Sequence, residues 1–94
     1  LADVSIKFKV FGKQSCEVCH KVHEKIEYFR SHWLNDATID YYDMETVDGL
    51  AEGAFNDVAD IPTVVLERDG KELGRWAKTP PTFDNLKTIF SMPK

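Results

Sequence analysis

Between Val4 and Trp33 the hydrophobic period changes once, from two to three or four, across the short break Gly12-Lys13-Gln14-Ser15. Residues 4–11, Val-Ser-Ile-Lys-Phe-Lys-Val-Phe, put β-branched and aromatic side chains on every second position, the pattern of a strand with one buried face. From Cys16 onward, Val18, Val22, Ile26, Phe29 and Trp33 recur every three or four residues and mark one stripe of a long helix. A strand that turns within a few residues into a helix commits the chain to layered α/β packing, because each element must bury its apolar side against the other.

The rest of the sequence continues the alternation. Residues 37–43, Ala-Thr-Ile-Asp-Tyr-Tyr-Asp, predict a second strand. Thr46 is placed to cap a second helix, whose apolar stripe is Val47, Leu50, Ala51, Ala54, Phe55 and Val58, with Asp48 near the positive end of its dipole. Thr63-Val64-Val65-Leu66-Glu67 and Glu72-Leu73-Gly74-Arg75-Trp76 flank Arg68-Asp69-Gly70-Lys71, and Asp-Gly favours the positive backbone angles of a tight hairpin. Pro80-Pro81 ends that section, and Thr82 can cap a last helix with Phe83, Leu86, Ile89 and Phe90 on its apolar face. The order β-α-β-α-β-β-α, with right-handed crossovers, predicts a four-stranded mixed sheet with helices on both faces. Such sheets hold ligands at the carboxyl ends of their strands, which is where Cys16 falls.

Length and composition narrow the function. Ninety-four residues, 1–94, are expected to form one domain. No apolar run is long enough to span a membrane, so none is expected as a partner. A net charge of −4 argues against gripping phosphate backbones, and nucleic acid is not expected either. Residues 36–60 contain Asp36, Asp40, Asp43, Glu45, Asp48, Glu52, Asp57 and Asp60 with no Lys or Arg, which reads as a solvated acidic face or as a field that steers a basic partner. No basic-then-apolar leader is visible, so the cytoplasm is the expected setting, and a monomer the expected state.

Cys16 and Cys19 are the only cysteines, and one short bridge cannot staple a secreted scaffold. A helix N-terminus stabilises a thiolate through unpaired backbone N–H groups and the helix dipole, and first thiols in such motifs commonly titrate at roughly 3.5 to 7.5. Cys16 therefore reads as the attacking thiol. Cys19, one turn on and beside the buried stripe, reads as the less exposed thiol that resolves a mixed disulfide formed on Cys16.

Other chemistries use the same letters. Cys16-Glu17-Val18-Cys19-His20 matches the Cys-x-x-Cys-His string of covalent haem attachment, although the strand-rich pattern is unlike an all-helical haem wrap. Cys16, Cys19, His20 and His23 are soft and borderline zinc ligands, but four ligands within one helix start rarely converge tetrahedrally, and no metal is expected. The two histidines read as polar-face residues, with a possible part in adjusting the thiolate or moving a proton. A metal-binding or redox-sensing module without turnover is the alternative function. Pro62 cannot donate to a sheet ladder, and the Ile61-Pro62 bond is of the kind that can be cis. The turn Ile61-Pro62-Thr63 could pack against Cys16 and leave the Ile61 backbone free to pair with an extended substrate.

Taken together, the dithiol opening the first helix, Ile61-Pro62-Thr63 some forty residues later, and the hairpin at Asp69-Gly70 before a final helix resemble the thioredoxin-like superfamily. The resemblance implies a nucleophile at Cys16, a resolving thiol at Cys19, and a cis Pro62 that contacts substrate. Val10-Phe11-Gly12-Lys13-Gln14-Ser15-Cys16 looks more like the glutaredoxin branch, in which a lysine at the position of Lys13 helps hold glutathione. Glu17 and Val18 replace the usual Pro and Tyr between the cysteines, and Gly74-Arg75-Trp76 replaces the Gly-Gly and acidic contacts, which leaves glutathione a doubtful partner. The thioredoxin branch's Trp before the motif and its buried Asp are Ser15 and Val10 here. A small glutaredoxin-like thioredoxin is the implied type, similar to short electron donors to ribonucleotide reductases in some microbes. The expected activity is thiol-disulfide exchange with a disulfide-containing protein substrate and a recycling reductase, and it requires no bound cofactor.

Overall fold

The structure, a computed structural model, describes residues 5–92. Strand β1 (Ile6–Gly12) leads into helix α1 (Glu17–Trp33), followed by β2 (Thr38–Asp43), α2 (Val47–Phe55), the hairpin β3 (Thr63–Arg68) and β4 (Lys71–Ala77), and α3 (Phe83–Ile89). Val4, expected at the start of the first strand, lies outside the described residues. The sheet order is β2-β1-β3-β4, with β1 parallel to β2 and antiparallel to β3, and β3 antiparallel to β4. The hairpin turns on Asp69 and Gly70, both at positive φ (52° and 83°), the conformation an Asp-Gly pair tolerates best.

Strand parity sorts the core into two layers. Phe8 and Val10 of β1 and Val64 and Leu66 of β3 face α1 and α3, meeting Val22, Ile26, Phe29 and Leu86 in the larger core. Phe11 and Val65, one residue out of phase, face the α2 side with Val58, Tyr42 and Met44. Helices thus cover both faces of the sheet. The α2 side also holds Lys9, 8% exposed, whose Nζ lies 3.1 Å from Glu67 Oε2 and 3.2 Å from Asn56 Oδ1, so the charge is neutralised and hydrogen-bonded where it is buried. Burial, and then the charge of Asp40 and Glu52, pushes the Tyr42 phenol up to about 12.

Two sequence expectations are corrected by the packing. In α1 the buried stripe is Cys19, Val22, Ile26 and Phe29, whereas Val18 is 56% exposed. The reason is phase: Cys19 leads Val22 by three residues and stays on the sheet side, and Val18 is rotated away from it. Trp33, at the helix end, is 37% exposed and leans on Phe29 and Phe83.

The second correction concerns α2. Thr46 caps it as expected, its hydroxyl oxygen accepting the Gly49 N–H at 3.0 Å. Its apolar stripe, however, points outward: Val47 is 83% exposed, Leu50 52% and Phe55 82%, while Gly49 and Gly53 are the buried residues. A methyl group on Gly49 would overlap the Asp43 carbonyl oxygen, and one on Gly53 would sit 2.6 Å from Met44 Cε. The helix lies so close to the end of β2 that only glycines fit beneath it. Val58, counted with that stripe, lies beyond the helix and is buried. In α3, by contrast, the Thr82 cap is completed by Asn85 in a capping box, and Leu86 is fully buried.

Candidate functional site

Strand β1 ends at Gly12, and a tight loop delivers Cys16 as the N-cap of α1, with extended backbone angles (φ −90°, ψ 106°). The Cys16 N–H donates to the Lys13 carbonyl at 3.1 Å, which closes the loop. Its Sγ takes the place that a serine or aspartate oxygen fills in an ordinary cap, accepting the Cys19 N–H at 3.1 Å. Cys16 is partly exposed and Cys19 fully buried, the two are joined by a disulfide, and their Cα atoms are 5.2 Å apart. When the bridge opens, negative charge on Cys16 Sγ faces the first amides and the positive end of a 17-residue helix, a setting that favours thiolate over thiol.

Gly12 and Tyr41 complete this geometry, and neither stands out in the sequence. A methyl group on Gly12 would lie 2.6 Å from Cys19 Cβ, 2.9 Å from Cys19 Sγ and 2.6 Å from the Tyr41 hydroxyl oxygen. Only a bare Cα lets the strand end pass against the buried sulfur. The Tyr41 hydroxyl donates to the Lys13 carbonyl at 3.0 Å, and the rings of His20 and His23 stack on Tyr41 with centroids 5.6 and 4.9 Å away. Burial, and then the charge of Asp43, raises the Tyr41 phenol pKa, so the group stays a neutral donor. Strand parity carried the signal: Tyr41 is the register partner of Val10 and shares its α1-facing side.

The histidines are engaged elsewhere than at the sulfurs. His20 Nε2 lies 2.7 Å from the Gln14 carbonyl oxygen, which can only accept, so that nitrogen carries the proton. His23 Nε2 lies 3.5 Å from Glu27 Oε2. Among the described residues, no group of three or more His, Cys, Asp or Glu side chains is arranged to hold a metal ion. The Lys13 side chain is exposed in the loop, beside the dithiol in sequence.

The Ile61-Pro62 peptide bond is cis. Register pairs Phe11 with Thr63, so Pro62 lies at the same end of the sheet as Gly12. Pro62 is buried and its carbonyl accepts the Lys78 N–H at 2.7 Å; Thr63 is 2% exposed, and its hydroxyl donates to the Asp60 carbonyl at 2.6 Å. Ile61 is half-buried and takes no part in the backbone bonds of the described turns and loops.

Glu17 follows Cys16 directly, with its side chain 86% exposed and Lys21 Nζ 4.0 Å away. Its charge opposes the neighbouring thiolate, and water screens most of that repulsion. We expect Glu17→Gln to lower the Cys16 pKa modestly, read from thiolate absorbance against pH; an unchanged or raised value contradicts the expectation.

No family model and no curated protein matches the chain. Solved structures do. Thioredoxin 1 from Thermosipho africanus superposes with a TM-score of 0.72 at 21% identity, covering 90% of each chain. Oxidised thioredoxin O2 from Arabidopsis thaliana gives 0.75 at 15% identity, over 93% of this chain and 73% of that one. A single-residue mutant of thioredoxin from Halobacterium salinarum gives 0.73 at 21% identity, over 90% and 71%. At these identities the likeness is one of backbone, and together with the strand order and a Cys16–Cys19 bridge opening α1 it makes this chain a small protein of the thioredoxin-like fold.

Proposed function

We propose that the protein is a thiol-disulfide oxidoreductase that reduces disulfides in proteins. The observation that carries this reading is the asymmetry of the pair: Cys16 is partly exposed at the amide end of α1, and its bonding partner Cys19 is fully buried one turn on. In the reduced protein, the Cys16 thiolate attacks one sulfur of a substrate disulfide, and the other sulfur leaves as a thiolate. Cys19 then loses its proton and attacks Cys16 Sγ, releasing the second substrate thiol and forming the Cys16–Cys19 bond. Two electrons pass to the substrate, and a reductase must return two to this chain. No bound cofactor enters the cycle.

In this reading the Ile61 backbone pairs with the substrate chain beside its disulfide, and the Pro62-Thr63 turn holds Ile61 in place. Lys13, exposed in the loop, contributes positive charge near the mixed disulfide. The Gly12-to-Cys16 loop with Lys13 favours a glutaredoxin-like thioredoxin. We place it as a monomer in a reducing compartment such as the cytoplasm; no helix among the described residues is long and apolar enough to cross a membrane. Donation to a ribonucleotide reductase is the finer form of the proposal. Reduction of insulin disulfides with dithiothreitol as the recycling reductant tests the activity: the protein should accelerate it, and a rate equal to dithiothreitol alone would overturn the reading.

A further inference from the structure

The outward stripe of α2 is the least explained feature of the fold. A nine-residue helix with apolar residues at positions 47, 50 and 55 would ordinarily turn them to the core. Here the glycine face takes that place, because the Asp43 carbonyl and the Met44 side chain leave no room for a Cβ. Three large apolar side chains are left in solvent as a consequence, two of them more than four-fifths exposed. Contiguous exposed apolar surface with a polar rim marks an interaction site more often than a chance arrangement.

Charge and position say what fits it. The rim is acidic: Glu45, Asp48 and Asp57 are exposed, Glu52 is partly so, and no Lys or Arg occurs from residue 36 to 60. Two nearby cations are already engaged, Arg75 with Glu72 and the Asn56 and Asp57 carbonyls, and Lys78 with Asp60. Two copies meeting through this face would oppose like charges, which disfavours self-association and leaves a basic partner as the complement. The stripe also begins, at Val47, beside the dithiol end of the sheet. Asp43 is the register partner of Gly12, the Met44 N–H donates to the Gly12 carbonyl at 2.7 Å, and α2 begins at Val47.

We propose that Val47, Leu50 and Phe55 with their acidic rim seat the protein substrate, and that this substrate carries an apolar segment bearing Lys or Arg next to its disulfide. The proposal rests on the oxidoreductase reading and deepens it. Apolar contact supplies the hold, and the acidic field speeds encounter.

The test compares three disulfides reduced by the pre-reduced protein: a bridged peptide with a Leu- and Lys-rich tail, the same peptide with Glu for Lys, and the small reagent dithionitrobenzoate. At low salt the Lys peptide should show a second-order rate constant about tenfold above that of the Glu peptide, and the ratio should collapse as salt screens the field. The triple variant Val47→Ser/Leu50→Ser/Phe55→Ser should lose about fivefold or more on the Lys peptide and keep its rate with dithionitrobenzoate, which reaches Cys16 without covering α2. Equal rates for the two peptides, or a triple variant as fast as the parent on the Lys peptide, overturn the proposal. So does a concentration-dependent dimer that the triple variant abolishes, which would give the face to a second copy. Failure with all three disulfides would instead remove the oxidoreductase reading beneath it.

Discussion

Replacing Cys16 with serine should abolish disulfide reduction, and replacing Cys19 with serine should leave a protein that accumulates mixed disulfides. A serine hydroxyl at the α1 cap is compatible with the fold, since serine is a preferred N-cap and can accept the Cys19 N–H as the sulfur does. It does not ionise near neutral pH, so no nucleophile remains at the exposed end of the helix. Insulin reduction by Cys16→Ser should fall to the background rate of the reductant. In Cys19→Ser the first attack proceeds, but the buried group that would displace the product is missing, and adducts on Cys16 should appear by mass as stoichiometric conjugates. A Cys16→Ser protein with full activity, or a Cys19→Ser protein that turns over without forming adducts, contradicts the assignment of roles.

Gly49→Ala should destabilise the fold by about 2 kcal/mol or more, the opposite of what its place in a helix suggests. In an exposed helix interior, alanine is better than glycine by about 1 kcal/mol. Here the added methyl meets the Asp43 carbonyl oxygen, a backbone atom that cannot swing aside as a side chain can. Relief requires lifting α2 off the end of β2, and with it the Thr46 cap, whose hydroxyl donates to that same carbonyl at 2.7 Å. Urea unfolding should show a lower midpoint for Gly49→Ala, and Ala54→Gly on the exposed side of the same helix should cost only the propensity difference of about 1 kcal/mol. A Gly49→Ala protein as stable as the parent would mean that α2 does not lie on its glycine face, and the exposed stripe would lose its physical cause.

The features readable in the sequence are those whose chemistry is local. Alternation marks β1, spacing marks α1, Asp69-Gly70 marks the hairpin turn, and Thr46 and Thr82 mark helix starts that their hydroxyls do cap. The orientation of α2 is not readable, because hydrophobic periodicity scores glycine as neutral and here the backbone contact decides which side turns inward. Periodicity also misplaces the α1 stripe by one residue at Val18, since Cys19 behaves as a small apolar side chain and occupies the position facing the sheet. At the candidate site, Cys16 and Cys19 can be found from their spacing. Gly12 and Tyr41 cannot, since Gly12 meets Cys19 only through the packing of α1 on the end of β1, and Tyr41 reaches the Lys13 carbonyl only through the parallel register of β1 with β2.

Titrating Cys16 in the reduced protein probes the account at its root, because everything proposed for this chain needs a stable sulfur anion at the mouth of α1. Alkylation rate or thiolate absorbance followed against pH should place its midpoint well below the free-thiol value of about 8.5. A midpoint at or above that value would show that the helix end does not hold the anion, and the attacking role of Cys16 would fail with it.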